Sequence, residues 1–388
     1  MKAIKFILVL LLVSIALNAQ TAKVIVGAEQ TKEYFPILKN KRIAIMSNHT
    51  GMVGKEHLLD LLLKNKFNVV AIFSPEHGFR GDADAGEHVS SSVDEKTGVP
   101  IRSLYDGKGG KPSAESMESF DILIIDIQDV GLRFYTYYAT MTRLMDACAE
   151  YNRKMLILDR PNPNGHYVDG PILDMKHKSG VGWLPIPVVH GMTLGELAMM
   201  VNGERWLPES RVCDVTVIKC KNYTHKTLYD VPLPPSPNLP NMKSIYLYPS
   251  TCLFEATPVS LGRGTQFPFQ VYGHPNMKGY AFTFTPRSIP GAKNPPQLDR
   301  LCYGVDLRNV SDKEIFEKGF DLTYIIDAYN NLNLDDHFFR PFFEKLVGVD
   351  YIRQMIKDGK SADEIRLMWK GDVEKFKKQR APYLLYEE

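Results

Sequence analysis

The sequence predicts an α/β protein: a Rossmann-like, largely parallel sheet with helices on both faces, followed by a smaller α+β auxiliary domain. From about residue 23, short apolar segments alternate with segments of helical periodicity, the order expected of βαβ units. Residues 121–126 form an apolar run with no polar interruption, typical of a parallel strand that is covered on both faces. These two observations together predict the fold class.

The individual elements follow from the same patterns. Predicted strands cover residues 42–46, 68–73, 121–126, 154–158 and 187–189. Predicted helices between them cover residues 29–38, 56–63, 137–151 and 193–201, and the last begins with a capping box of Thr193 and Glu196. Short strands and loops are predicted for residues 270–310. Helices are predicted in the tail over residues 311–318, 322–330, 342–347, 351–357 and 361–378.

The length of 388 residues favours two domains. The proline-rich segment 231–241 cannot form a helix and predicts the crossing between them. We therefore expect a signal peptide at residues 1–19, a catalytic domain at residues 20–243 and an auxiliary domain at residues 244–388 that completes a cleft.

The first 19 residues have the features of a secretory signal. Lys2 and Lys5 precede a short apolar run that ends at Ala19, and this run is shorter than a membrane-spanning helix requires. The sequence thus predicts secretion across the inner membrane to the periplasm, with no membrane contact after cleavage. A formal net charge of +2 gives no reason to expect a nucleic-acid partner, and the sequence leaves the oligomeric state open.

The cysteines do not predict a disulfide scaffold, because the five are scattered and odd in number. Cys148 lies in a helical pattern and is expected in the core. Cys213 and Cys220 either pair or remain two independent buried thiols.

Polar, titratable residues follow each predicted strand. In a parallel sheet these strand ends meet at one edge, so we expect a single pocket there. The residues at this edge are Asn48, His49, Glu76, His77, Arg80, Asp126, Asp129, Arg133, Asp159, Arg160, Asn162 and His190. The loop that contains Glu76 is also rich in glycine, which permits close approach of the backbone to a ligand. Neither a dinucleotide fingerprint nor a P-loop is present, so no cofactor is predicted.

Five ordered motifs carry a family resemblance. They are Ser74–Gly81, Asp126–Tyr137, Leu158–Pro163, Pro234–Pro240 and Gly262–Thr265. The set resembles the exo-β-N-acetylmuramidase family of the NamZ type, long known only as a domain of unknown function. The resemblance covers nearly all of the mature chain. It implies release of N-acetylmuramic acid from the non-reducing end of peptidoglycan fragments in cell-wall recycling, with Glu76 as the catalytic glutamate.

Glycoside cleavage requires an acid for the leaving oxygen and a second group that supports the oxocarbenium-like transition state. Glu76 suits the first role if the neighbouring Phe73 and Phe79 desolvate it. Asp126 and Asp129 are the nearest candidates for the second role, with Asp159 and Glu255 as alternatives. The 2-acetamido group of the substrate could also act as an internal nucleophile, and the sequence leaves this choice open.

Recognition of the sugar is expected from side chains of the same motifs. Arginine suits the lactyl carboxylate, and Arg80, Arg133, Arg160 and Arg263 are candidates, although Arg160 could instead pair with Asp159. Tyr135 and Tyr137 could stack on a sugar face, and His49, His77 and His190 could donate hydrogen bonds. Further candidates for substrate contacts are Asn48, Asn162, Asn238, Glu255 and Thr265.

Two other functions compete with the glycosidase. A metal-dependent hydrolase of amino sugars would use His49, His77, His190, Asp126 and Asp129, but the sequence has no HExxH motif, and no metal site is predicted. A non-catalytic periplasmic binder of wall fragments would need the arginines and aromatic residues but not Glu76.

Overall fold

The computed structural model of the chain describes residues 22–75, 79, 92–104 and 111–388. Its strands in chain order are β1 (Arg42–Ser47), β2 (Met52–Val53), β3 (Glu56–His57), β4 (Asn68–Ser74), β5 (Ser92–Val93), β6 (Pro100–Ser103), β7 (Ile122–Asp126), β8 (Lys154–Leu158), β9 (Asp214–Ile218), β10 (Val271–His274), β11 (Phe282–Phe284) and β12 (Cys302–Asp306). Its helices are α1 (Thr31–Leu38), α2 (Leu58–Lys64), α3 (Ala114–Glu118), α4 (Tyr137–Glu150), α5 (Leu194–Gly203), α6 (Met242–Thr251), α7 (Asp312–Lys318), α8 (Thr323–Leu332), α9 (Phe343–Val347), α10 (Tyr351–Lys357) and α11 (Ala362–Arg380).

The centre of the molecule is a sheet in the order β5-β6-β4-β1-β7-β8-β9. All neighbouring strands in the described sheet are parallel except the pair β5 and β6. The register places Ser47 opposite Asp126, so β1 and β7 end at the same level. The predicted Rossmann-like sheet is therefore confirmed, and its carboxyl edge brings several loops together.

Each face of the sheet contributes to its own hydrophobic core. Ile43 and Ile45 of β1 face one core with residues of α1 and α2. Ala44 and Met46 face the other core with α4, α5 and much of the C-terminal region. This alternation follows from the two-residue period of a strand, and both faces are covered by helices as predicted.

The C-terminal region consists of helices α6 to α11 and the antiparallel sheet β10-β12-β11. Phe254 and Tyr272 stack in its core with ring centroids 4.9 Å apart. Helix α11 returns to the first region, where the Trp369 indole N–H donates to Asp169 Oδ1 at 2.8 Å. The two regions thus share a continuous core.

Several elements differ from the prediction, among them β3, β5, β6 and α3, which the sequence did not predict, and three more differ as follows. Residues 187–189 do not form a strand of the sheet, because Val189 makes only isolated bridges to Leu132 and Asp169. Strand β9 was not predicted; it lies at the edge of the sheet and is half-exposed. Helix α6 was also missed, since Pro249 in its last turns conceals the helical pattern.

All five cysteines are buried free thiols. The pairing considered for Cys213 and Cys220 is absent, and Cys213 instead lies beside Cys148. Hydrogen bonding to Cys213 and burial together raise the pKa of Cys148 well above its ordinary value. Among the described helices, none combines the length and the apolar character needed to cross a bilayer.

Candidate active site

The loop that carries the predicted catalytic glutamate follows β4. That strand ends at Ser74, and Phe79 packs against His57 with ring centroids 5.1 Å apart. Phe73 and Phe79 are both buried, Phe73 in the core with α4 and α5 and Phe79 in the core with α1 and α2. Glu76, His77 and Arg80 themselves lie outside the described residues, so their roles stay predictions.

A cavity of about 130 Å³ lies where the carboxyl edge of the sheet meets the C-terminal region. It brings together five of the predicted site residues, namely Tyr135, Tyr137, Asn238, Glu255 and Arg263. The wall also contains Phe134, Thr140, Arg143, Ser236, Tyr248 and Phe269. We refer to this space as the edge cavity.

Two tyrosines at the start of α4 form one wall of the edge cavity. Their rings meet edge to face with centroids 4.8 Å apart. The hydroxyls of Tyr135 and Tyr137 both donate to the Pro235 carbonyl, at 2.9 and 3.3 Å. Asn48 Nδ2 donates to the Tyr137 hydroxyl at 2.9 Å, so Asn48 positions this ring rather than lining the cavity.

The proline-rich segment 231–241 lies over the carboxyl edge of the sheet. His49 Nε2 is 2.7 Å from the Pro234 carbonyl oxygen. Asn238 is buried, and its Nδ2 donates to the Gly291 carbonyl at 2.8 Å. The segment therefore connects loops of the central sheet to the C-terminal region and closes one side of the edge cavity.

Glu255 and Arg263 form an ion pair at the far wall. Arg263 Nη2 and Nε lie 2.6 and 3.3 Å from Glu255 Oε1, and the guanidinium lies over the Phe269 ring at 5.0 Å. A second cavity of about 350 Å³, which residues 291–296 border, shares both members of the pair. The ion pair thus stands between two adjoining spaces.

Asp129 is a buried carboxyl group near the tyrosines, and it does not itself line the edge cavity. Its Oδ1 accepts the Gly131 N–H at 2.7 Å, and its buried Oδ2 has no hydrogen-bond partner among the described residues. Burial raises the pKa of Asp129 to about 7, although backbone N–H groups of Gly131, Val130 and Tyr138 act in the opposite direction. Its charge also contributes to the raised pKa of Tyr135, so the two groups are close.

Asp126 has a different environment. Arg160 Nε and Nη2 bind its two carboxylate oxygens at 2.6 and 3.1 Å, and both side chains are buried. Arg160 also donates to the Met52 carbonyl. The suggested pairing of Arg160 with Asp159 is therefore wrong, and neither Asp126 nor Arg160 lines the edge cavity.

Asp159 caps a helix, which corrects its assignment as a substrate-binding residue. Its Oδ2 accepts the hydroxyls of Thr193 and Tyr386 at 2.7 and 2.6 Å, and its Oδ1 accepts the Gly195 N–H at 3.0 Å. Burial raises the pKa of Asp159 to about 6 despite these donors. The residue stabilises the start of α5 and has no route to the edge cavity.

Arg133 is also a structural residue, contrary to the expectation of a carboxylate contact. It is fully buried, and burial lowers its pKa to about 10. Its two terminal nitrogens donate to backbone carbonyls of Pro171, Ile186, Leu346 and Val347 at 2.6 to 3.0 Å. Four of its five N–H bonds are therefore used inside the protein.

Three further predicted contacts have internal partners. Asn162 donates to the Met192 carbonyl at 2.9 Å. His190 is buried, which lowers its pKa to about 3, and its Nδ1 accepts the Met192 N–H at 3.3 Å. The Thr265 hydroxyl donates to the Gly262 carbonyl at 2.6 Å and stabilises a turn. None of the three lines the edge cavity.

Tyr248 and Arg143 were missed by the sequence analysis. Tyr248 lies on α6 and contacts the rings of Phe134 and Phe269, with centroids 5.2 and 4.7 Å apart. Tyr248 was not predicted because the helix that carries it was not predicted. Arg143 lies three residues after Thr140 on α4, so these two lining residues are neighbours on the helix surface. Within the described ranges, no three His, Cys, Asp or Glu side chains are arranged to hold a metal ion.

The fold and the edge cavity define a Rossmann-like α/β enzyme that is completed by an auxiliary C-terminal region. Residues 43–243 match the N-terminal model of exo-beta-N-acetylmuramidase NamZ, and residues 246–386 match its C-terminal model. The chain belongs to this family of glycosidases.

Relatives of known sequence or structure agree with this assignment. The chain is 41% identical to peptidoglycan beta-N-acetylmuramidase NamZ of Bacillus subtilis strain 168 over 374 residues, covering 91% of this chain and 89% of that protein. Two crystal structures of DUF1343 family proteins from Bacteroides fragilis NCTC 9343 share the fold. One has 75% identity and a TM-score of 0.89 over 95% of this chain and 100% of the other. The second has 28% identity and a TM-score of 0.81 over 94% and 99%.

Proposed function

We propose that this protein is an exo-acting glycoside hydrolase that releases N-acetylmuramic acid from the non-reducing end of peptidoglycan fragments. The observation that carries the proposal is that the edge cavity is lined from both family-matched regions. Tyr135 and Tyr137 come from the N-terminal match, while Glu255 and Arg263 come from the C-terminal match. Aromatic walls and one ion pair are suited to contacts with a sugar ring and its anionic substituent, and the space of about 130 Å³ accommodates part of such a sugar.

Glu76 is the proposed acid for the leaving oxygen. It follows the last residue of β4 by two positions in the chain, and β4 runs parallel to β1 in the central sheet. Asp129 is the proposed second carboxyl group, because a buried group with a pKa of about 7 can exchange a proton near neutral pH. Asp126 is less suited, since its bidentate ion pair with Arg160 fixes it as a buried carboxylate.

Arg263 is the proposed partner for the lactyl carboxylate. Glu255 engages its Nε and Nη2, and no described residue accepts a hydrogen bond from its Nη1. Glu255 also holds the guanidinium in place over the Phe269 ring. A positioned arginine of this kind supplies both charge and direction for a carboxylate.

Release of free sugar from a MurNAc-β-1,4-GlcNAc disaccharide tests the proposal. We expect turnover by the wild type, a fall of about 10²- to 10⁴-fold in Glu76→Gln, and no change with a chelator. Glu56→Gln is the matched control, because Glu56 is a partly exposed glutamate of the same region that pairs with Lys64. It should retain wild-type turnover.

Other outcomes of this experiment would separate the alternatives. Turnover that stops with chelator would favour the metal-dependent hydrolase. Tight binding of the disaccharide without turnover by the wild type would favour the non-catalytic binder. Full activity in Glu76→Gln would remove Glu76 from the mechanism while leaving the glycosidase intact.

We also propose that the chain is exported to the periplasm, where wall fragments are available. The support is the basic and apolar pattern of residues 1–19. N-terminal sequencing of the protein recovered from the periplasm should show a first residue of Gln20. A cytoplasmic protein that retains Met1 would contradict this.

A further inference from the structure

A cavity of about 510 Å³ lies beyond Arg143, on the side away from Glu255. Trp183 and Trp206 are both part of its wall, and three cationic side chains surround them, namely Lys111, Arg143 and Lys178. We refer to this space as the tryptophan cavity. The proposed catalytic roles do not use it.

The tryptophan cavity adjoins the edge cavity along α4. Thr140 lines only the edge cavity, Asp146 lines only the tryptophan cavity, and Arg143 lines both. Asp146 lies six positions after Thr140 on the helix, which is about 9 Å of rise. A ligand that fills both spaces therefore extends by roughly the length of a disaccharide.

A tight turn forms the partition between the two cavities. Ser179 and Gly182 pair through their backbones, and Gly180 and Val181 at the tip face the edge cavity. Lys178 and Trp183, on either side of the turn, face the tryptophan cavity. The same short segment thus contributes to both spaces, which shows that the two cavities are adjacent.

The aromatic surface of the tryptophan cavity carries positive charge. The Arg143 guanidinium carbon and the Lys178 ammonium lie 4.7 and 4.1 Å from the centre of the Trp183 ring. Trp206 is half-buried beside the same core. Tryptophan faces bind sugar rings and cations, and a cation held over an indole remains available to an anion at its outer side.

The ion pairs around the cavity leave the Lys178 charge for a ligand. Asp146 lines the cavity and is neutralised by Arg211 at 2.8 Å, and Lys111 is neutralised by Glu150 at 2.5 Å. No carboxylate of the described residues pairs with Lys178, which is exposed. The cavity is therefore complementary to a ligand that combines an apolar ring face with a carboxylate.

We propose that the tryptophan cavity is a distal subsite for a carboxylate-bearing sugar, two residues from the bond that is cleaved. This inference rests on the proposed function, in which the edge cavity holds the terminal sugar. The glycan of peptidoglycan alternates an anionic and a neutral amino sugar. When the edge cavity holds the terminal sugar, the next anionic sugar therefore lies two sugar units away, a distance similar to the rise along α4 from Thr140 to Asp146.

Comparison of a disaccharide with a tetrasaccharide tests the subsite. We would titrate each of MurNAc-GlcNAc and (MurNAc-GlcNAc)₂ into the full chain, follow the tryptophan fluorescence, and measure KM wherever turnover occurs. The wild type should bind the tetrasaccharide about fivefold more tightly, the gain from one partly exposed charge contact. Lys178→Ala and Trp206→Ala should lose this gain and leave the disaccharide unaffected.

Lys176→Ala is the matched control. Lys176 belongs to the same turn of chain but pairs with Asp174 and Asp350, and it lines neither cavity. It should keep the preference for the tetrasaccharide. Raised salt should weaken the preference in the wild type, because the contact is ionic and solvent-accessible.

The outcomes distinguish this inference from the proposed function. Equal affinity of the wild type for both saccharides would overturn the subsite, even with full turnover of the disaccharide. An equal loss on both saccharides in Lys178→Ala would overturn it as well. A preference for the tetrasaccharide that Lys178→Ala abolishes would support the subsite even if no sugar is released, and only the glycosidase would then fail.

Discussion

At the scale of single residues, Asp129 has the most informative environment. It is the described carboxyl group whose burial, free Oδ2 and proximity to Tyr135 all point to proton exchange. Asp126 is only three residues away, yet its ion pair with Arg160 gives it the opposite character. The two aspartates therefore differ in chemical character because their surroundings differ, although they are close in sequence.

The raised pKa of Asp129 predicts a specific dependence of stability on pH. Between its unfolded value of 3.8 and its folded value of about 7, the folded protein binds a proton that the unfolded chain has released. The free energy of unfolding should therefore fall as pH rises through this range. Asp129→Asn replaces the titrating carboxyl group by a neutral amide. The free energy of unfolding of the variant should therefore depend less on pH in this range, and the variant should be more stable than the wild type at about pH 8.

Urea unfolding at a series of pH values measures this slope. The pKa of Asp159 is also raised by folding, to about 6, so the Asp129→Asn variant should keep part of the pH dependence of stability. The exposed Asp358→Asn should leave the slope unchanged and is the control. A slope in Asp129→Asn equal to that of the wild type would show that Asp129 is ionised well below neutral pH.

The sequence could identify which residue types gather at the edge, but not how each is used. Arg133 illustrates the limit, because its partners are four backbone carbonyls from distant segments that carry no residue-specific signal. Arg263 kept its predicted place at a cavity, since its partner Glu255 lies eight residues away in the same local structure. A sequence motif does not show whether a side chain binds a ligand or donates to backbone carbonyls of distant segments.

At the scale of elements, the start of α5 depends on the C-terminal tail. Tyr386 donates to Asp159 Oδ2 at 2.6 Å and accepts the Cys220 N–H at 3.0 Å. Leu385 N–H donates to Glu196, the glutamate of the capping box. The tail therefore completes the polar network at the helix N-terminus.

Removal of one hydroxyl tests that dependence. Tyr386→Phe removes one of the three donors to Asp159 and leaves the Cys220 N–H without its acceptor, so we expect a loss of about 2 kcal/mol in the free energy of unfolding. Tyr383→Phe is the control, because its hydroxyl bonds to Glu204 near the surface and its loss should cost under about 0.5 kcal/mol. Similar values for both variants in urea unfolding would show that the tail contributes little.

Elements with strong periodicity were predictable, and those with interrupted patterns were not. The strand at residues 154–158 and the Thr193 cap of α5 agree with the sequence. Residues 187–189 are apolar like a buried strand, but they are not part of the central sheet. Val189 forms isolated bridges with Leu132 and Asp169 instead. Short apolar runs do not distinguish these two environments, because both exclude water equally well.

At the scale of the whole molecule, Arg133 joins the two family-matched regions. It precedes α4 in the first region and binds the carbonyls of Leu346 and Val347 in the second. Gly348 lies so close that a Cβ there would meet the guanidinium at 2.6 Å. The arginine therefore fixes the C-terminal region against the sheet that carries the edge cavity.

Arg133→Met should destabilise the whole protein. It removes a donor from four buried carbonyls, of which the Ile186 carbonyl alone still accepts a backbone N–H, that of Leu173, so we expect a loss of at least about 3 kcal/mol in the free energy of unfolding. Arg308→Met is the control, since Arg308 is a partly exposed arginine paired with Asp306, and its loss should cost no more than about 1 kcal/mol. Chemical unfolding of both variants provides the comparison, and equal losses would contradict the structural role of Arg133.

The position of Tyr386 also has a consequence for biosynthesis. A ribosome that has delivered the complete sheet still holds the residues that Asp159, Glu196 and Cys220 require. The full set of hydrogen bonds at these groups forms only once residues 385 and 386 have left the ribosome. The polar network at the start of α5 is therefore completed late, after the chain of the central sheet has already been synthesised.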